Sequence, residues 1–174
     1  MRLLRLMVVV VLLSGLGSQA WAAESRLDSL KGVKNLSVLV EHLNDKAKEA
    51  GLTNEDLQTT AELRLRAAGI TVISDAEALA SKEWIPYIYV DVNLMKIPDR
   101  EQYAYSIVVE CMQAARVISN KAFTIAVTWD TKGMGVSGSS RTKQTIKEKV
   151  ADLCDKFAND FLSVNPKTPA PAKK

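Results

Sequence analysis

From Pro86 onward the chain alternates apolar and polar residues over three successive runs, and that period of two confines most of it to one sheet. Pro86 blocks helix continuation and opens the first run, Tyr87 to Ile97. Ile88, Val90, Val92 and Leu94 share one face there, while Tyr87, Tyr89, Asp91 and Asn93 point the other way. Ile97-Pro98-Asp99-Arg100 reads as a turn. Tyr103 to Arg116 then puts Tyr105, Ile107, Val109 and Cys111 on one face. After the Ser119-Asn120-Lys121 turn, Phe123, Ile125, Val127 and Trp129 alternate again.

Upstream, Leu36 to His42 is a strand with Val38 and Val40 on one face, followed by a polar stretch, Asn44 to Gly51, with some helical turn. Thr53 opens a helix with Asp56 three residues on, in a near-capping-box arrangement. Leu57, Ala61, Leu65 and Ala68 recur at helical spacing, and Gly69 supplies a left-handed stop. Ile70 to Ile73 is a short second strand, so strand, helix and strand form a crossover that places the two strands parallel. Ser74 caps a short helix to Leu79. Thr131 to Ser140 is glycine-rich and reads as a loop. Ser140 to Leu162 is the longest helix, with Ile146, Val150, Leu153, Cys154, Phe157 and Phe161 on one stripe.

The order β-α-β-β-β-β-α, with both main helices apolar on one side only, predicts an α+β two-layer sandwich. Its mixed sheet of about five strands carries the helices packed on one face and leaves the other open. The expected core is Val38, Val40, Ile88, Val90, Val92, Ile107, Val109, Ile125 and Val127 beneath Leu57, Leu65, Val150, Leu153 and Phe157. Strand and stripe also put Cys111 and Cys154 in the same interior layer. A disulfide between them would close a loop of about 44 residues, worth roughly 4 kcal/mol. Two buried free thiols acting as small apolar residues are the alternative, because alternation sets the face and not the register.

The first residues read as a secretory signal peptide. Arg2 and Arg5 form the cationic start, Leu6 to Leu13 the apolar run, and Ala20-Trp21-Ala22 the small-x-small end, with cleavage expected between Ala22 and Ala23. The run falls short of the ~20 residues that span a bilayer, so cleavage is preferred to an uncleaved anchor. The separated arginines do not fit a twin-arginine route, and no cysteine stands near the cleavage point to take a lipid. The expected organisation is a signal peptide over 1–22, a flexible lead-in over 23–34 with Leu27 and Leu30 docking, one α/β domain over 35–163, and a disordered tail over 164–174. The formal charge of +3 falls to +1 once Arg2 and Arg5 leave. A nearly neutral domain has no overall electrostatic pull toward nucleic acid or an anionic membrane, and no stable membrane anchor is expected after cleavage.

Gly133-Met134-Gly135-Val136-Ser137-Gly138 fits G-x-G-x-x-G after a strand and before a helix. Yet Asp130 to Lys132 separate strand from glycines, and no strand is predicted after the helix to carry a ribose-binding carboxylate, so no nucleotide cofactor is expected. A milder version, a small-anion site formed by Lys132, Gly133, Gly135, Arg141 and Lys143 at the helix start, stays as an alternative. His42 is the only histidine and reads as a surface residue beside Glu41. The cysteines lie on apolar stripes that raise thiol pKa, and one histidine with two scattered cysteines matches no zinc spacing. A small hydrolase using Glu41, Asp91, Glu110 and Asp130 on the open face is the catalytic alternative.

The open face is the expected working surface. Leu39, Tyr87, Tyr89, Asn93, Val108 and Met112, interleaved with polar groups, suit a protein or peptide contact. The strand Leu36 to Glu41, the helix stopping at Ala68-Gly69, and the segments Ile70-Thr71-Val72-Ile73-Ser74-Asp75 and Tyr87-Ile88-Tyr89-Val90 together resemble a group of bacterial envelope proteins. The group holds TolB amino-terminal domains, penicillin-binding-protein activator lipoproteins and the curli-secretion lipoprotein, and the chain is also similar to small uncharacterised exported bacterial proteins. The likeness covers most of 35–162 and lies in element order, so no family site residue transfers. It implies a non-enzymatic accessory role in the periplasm or after secretion, in envelope assembly or partner docking. The missing lipid-bearing cysteine departs from the lipoprotein members, so tethering is not carried over.

Overall fold

The computed structural model describes residues 26–166. The expected signal peptide, its cleavage point, the first residues of the lead-in and the tail from 167 lie outside them. The elements run β1 (Asn35–Val40), α1 (Asp45–Glu49), α2 (Asn54–Ala67), β2 (Thr71–Val72), α3 (Asp75–Ala80), β3 (Tyr87–Lys96), β4 (Gln102–Arg116), β5 (Phe123–Gly138) and α4 (Thr142–Val164). They form a five-stranded sheet in the order β2-β1-β3-β4-β5. β1 pairs parallel with β2 and β3, and the remaining neighbours are antiparallel. The fold is the α+β arrangement with an open sheet that alternation and helix spacing predict.

Local chemistry sets the boundaries. Thr53 accepts from the Asp56 amide and starts α2. That helix ends where Gly69 takes φ +83° and the Ile70 amide reaches back to the Leu65 carbonyl at 3.0 Å. Ser74 and Glu77 form a full capping box at the start of α3. The α2 and α4 helices pack on each other and on the same side of the sheet. Leu57, Leu65, Val150, Leu153 and Phe157 are buried there against Val38, Val40, Ile88, Val90, Val92, Ile107 and Val109.

Two expected core residues are not in the core. Ile125 and Val127 are 45% and 46% exposed, whereas Trp129 is 1% exposed. A β-bulge is the cause: Cys111 opposes Trp129 but Met112 opposes Val127, so Thr128 is an extra residue and the alternation inverts across it. Trp129 thereby faces the helices, edge-on to Phe157 with centroids 5.0 Å apart and donating its indole N–H to Asp160 at 2.8 Å. Ile125 and Val127 turn to the open face.

The glycine-rich segment is also not a loop. Gly133 to Gly138 is the last third of the 16-residue β5, and α4 begins only at Thr142. Its glycines admit close neighbours: a Cβ on Gly133 would meet Leu153 at 3.5 Å, and one on Gly135 would meet the Tyr105 hydroxyl at 2.6 Å.

The described part of the lead-in, expected to be flexible, is tied down. Leu30 is fully buried, Asn165 donates to the Leu30 carbonyl and accepts from the Gly32 amide, and Gln113 donates to the Ser29 carbonyl. Arg26 and Ser29 also donate to the Asp130 and Thr128 carbonyls of β5, an edge strand. Both cysteines are free and buried rather than joined. Cys111 sits opposite Ile88 and Trp129 in the sheet, while Cys154 lies by the Arg64–Asp155 ion pair that joins the two main helices. Burial pushes each thiol up to about 12.

Candidate functional site

Strand register decides what the open face presents. Ser37, Tyr87, Met112 and Val127 form one cross-strand row, and Leu39, Tyr89, Glu110 and Asp130 the next. Asp91, Val108 and Lys132 follow, then Asn93, Ser106 and Met134. The six residues expected to share this face, Leu39, Tyr87, Tyr89, Asn93, Val108 and Met112, therefore do share it.

One end of the face is walled. The α3 helix buries none of its residues and stands beside β1. With the following segment 81–86 it encloses a groove of about 590 Å³ against Ser37, Leu39 and Tyr87. Leu79, Trp84 and Ile85 supply the other apolar wall, and the Trp84 and Tyr87 rings tilt toward each other at 6.5 Å between centroids. Leu39 is 46% and Trp84 49% exposed, so apolar surface lines the groove while remaining reachable. Sequence reasoning missed Leu79, Trp84 and Ile85, although a leucine, a tryptophan and an isoleucine in a polar connection were the available signal.

The centre of the face is acidic. Tyr89 donates its hydroxyl to Glu41, and the His42 amide donates to the same carboxylate at 2.8 Å. These two bonds, the tyrosine's first, hold the Glu41 carboxyl below its ordinary range, and the bond to Glu41, then burial, raises the Tyr89 phenol. Asp91 goes the other way: partial burial first, then the Glu41 charge, raises its pKa, while Asn93 donates to both of its oxygens. Glu110 and Asp130 are directly paired in the register. The four carboxylates of the hydrolase reading are thus on one face, but they lie along the sheet surface rather than across a cleft. His42 is exposed beside them.

The expected anion site is not assembled. Lys132 lies on the open face near Asp130, whereas Lys143 pairs with Asp56 of α2 at 2.7 Å on the helical side. Gly133 and Gly135 are strand residues filled over by Leu153 and Tyr105, and Arg141 closes a 3-10 turn. No group of three or more histidine, cysteine or acidic side chains that could hold a metal occurs among the described residues. Among the same residues no helix is long and apolar enough to cross a membrane.

Fold and face together define a class: a one-sided α+β sandwich whose uncovered sheet offers an apolar groove beside an acidic patch. No family model matches the chain, and no curated protein matches it. It is similar to solved structures of bacterial proteins. A dodecameric PelC variant from Paraburkholderia phytofirmans is 17% identical, with 75% of this chain and 87% of that one covered and a TM-score of 0.46. A second PelC dodecamer from that organism gives 16%, 73%, 87% and 0.43. A minor lipoprotein from Acinetobacter baumannii gives 12%, 76%, 94% and 0.30. No residue role, ligand or partner crosses at such distances.

Proposed function

We propose that this is a non-enzymatic accessory protein of the bacterial envelope, exported to the periplasm or beyond, that docks a protein or peptide partner on its open sheet face. The groove between α3 and the β1–β3 edge of that face is the observation that carries the reading. Its walls, Leu39, Leu79, Trp84, Ile85 and Tyr87, are apolar and reachable, and apolar surface of this kind rimmed by polar groups marks contact sites. The adjoining carboxylates of Glu41, Asp91, Glu110 and Asp130, spread over two cross-strand rows, set the partner's chemistry: apolar side chains for the groove, then a basic group for the acids. The element order that resembles exported envelope domains agrees with this role.

The test is site-specific photocrosslinking in cells that make the protein. A benzophenone side chain at Trp84 is expected to give a discrete adduct, and one at Gln144 on exposed α4 surface none. Adducts in equal yield from both positions, or none from position 84, would overturn the assignment of the face.

A further inference from the structure

The β4–β5 hairpin outruns its sheet. β3 stops pairing with β4 at Tyr87–Met112, whereas β4 and β5 remain paired out to Arg116–Phe123. Gln113 to Arg116 and Phe123 to Ala126 therefore make a two-stranded arm. Its turn is closed by Val117 N–H to Ala122 O at 2.9 Å and Lys121 N–H to Val117 O at 2.8 Å. Turns ordinarily carry small polar residues, yet here Ile118 is 85% and Phe123 78% exposed, with Val117 and Ile125 exposed behind them. The Arg116 guanidinium lies 5.3 Å over the Phe123 ring, and Lys121 stands on the turn itself. Between Glu110 and Asp130 the chain has no acidic residue. The near-neutral overall charge thus conceals a segregation, with acids at the centre of the face and only cations on the arm.

We propose that this arm is a membrane-surface contact: Ile118 and Phe123 enter the headgroup region of an anionic phospholipid bilayer while Arg116 and Lys121 lie against its phosphates. Apolar side chains flanked by cations are what such an interface accepts. Shape favours lipid over protein. A stable protein interface needs about 1,000 Å² of complementary surface, which two side chains at the end of a two-stranded arm do not supply, whereas a bilayer closes around a protrusion. The attraction is local, because salt screens it beyond roughly 8 Å. Contact is therefore reversible and confined to the arm, and it stands independently of the docking groove.

Co-sedimentation of the signal-free chain with vesicles of phosphatidylcholine, alone or mixed with phosphatidylglycerol, tests this. The wild type is expected to partition onto the mixed vesicles and to be released by high salt. Ile118→Asp or Phe123→Asp should each lower partition roughly ten- to a hundredfold. Arg116→Gln with Lys121→Gln should lose about fivefold per charge and the preference for phosphatidylglycerol. Leu63→Asp, on an exposed position of α2, should change nothing. Circular dichroism and the urea midpoint verify that each variant is folded. Absence of wild-type partitioning, or unaltered partitioning of a folded Ile118→Asp, overturns the proposal. So does self-association in solution that Ile118→Asp abolishes without any vesicle binding, which would make the arm a contact between copies.

Discussion

Trp129 shows what a single side chain does here. It fills the layer between sheet and α4, stacks edge-on with Phe157, satisfies its N–H on Asp160, and lies 5.6 Å beneath the Arg26 guanidinium. Trp129→Ala removes all of these and leaves a cavity, so it should cost about 3–5 kcal/mol in urea unfolding. Gly135→Ala is a smaller change with a definite cost, because the added methyl must displace the Tyr105 ring. About 1–3 kcal/mol is expected by the same measurement. Asp91 predicts a pH dependence. Its folded pKa is raised, so its contribution favours the fold while it is protonated and is lost as pH rises through that folded value. Asp91→Asn should therefore match the wild type in melting temperature in acid and exceed it at neutral pH. Glu41, held low by Tyr89, has the opposite sign: its contribution is present above the unfolded carboxylate pKa and is lost as pH falls through the folded one.

At the scale of elements, legibility followed periodicity. Helix α2, its Thr53 and Gly69 ends, the Ser74 cap and strands β3 and β4 were all written in spacing and end-residue chemistry. The bulge was not, since one extra residue at Thr128 leaves the local alternation of Ile125, Val127 and Trp129 looking regular while reversing which face each meets. Gly133 and Gly135 misled for a related reason. Glycine marks a tight loop and a close approach within a strand alike, and only the neighbours Leu153 and Tyr105 distinguish them. Leu39, Tyr87, Tyr89, Asn93, Val108 and Met112 share a face as their alternation predicts, because the register among β1, β3 and β4 is continuous. The groove escaped because α3 and the segment 81–86 carry no period that reports where they fold back.

Across the whole molecule, protection is uneven. β3 is paired on both sides over Tyr87–Val90 and backed by the helical layer, whereas β2 has two residues and α3 buries none. Amide exchange should be slowest in Ile88 to Val90 and their β4 partners Val109 to Cys111, and faster in Thr71–Val72, in α3 and in the arm, whose strands pair only with each other. Mass-resolved exchange measures it; uniform rates across these segments would contradict the layering.

The stretch from Arg26 to Ser29 guards a vulnerable border. Arg26 and Ser29 occupy the Asp130 and Thr128 carbonyls, so losing both residues would free two neighbouring acceptors on the β5 edge for a foreign strand.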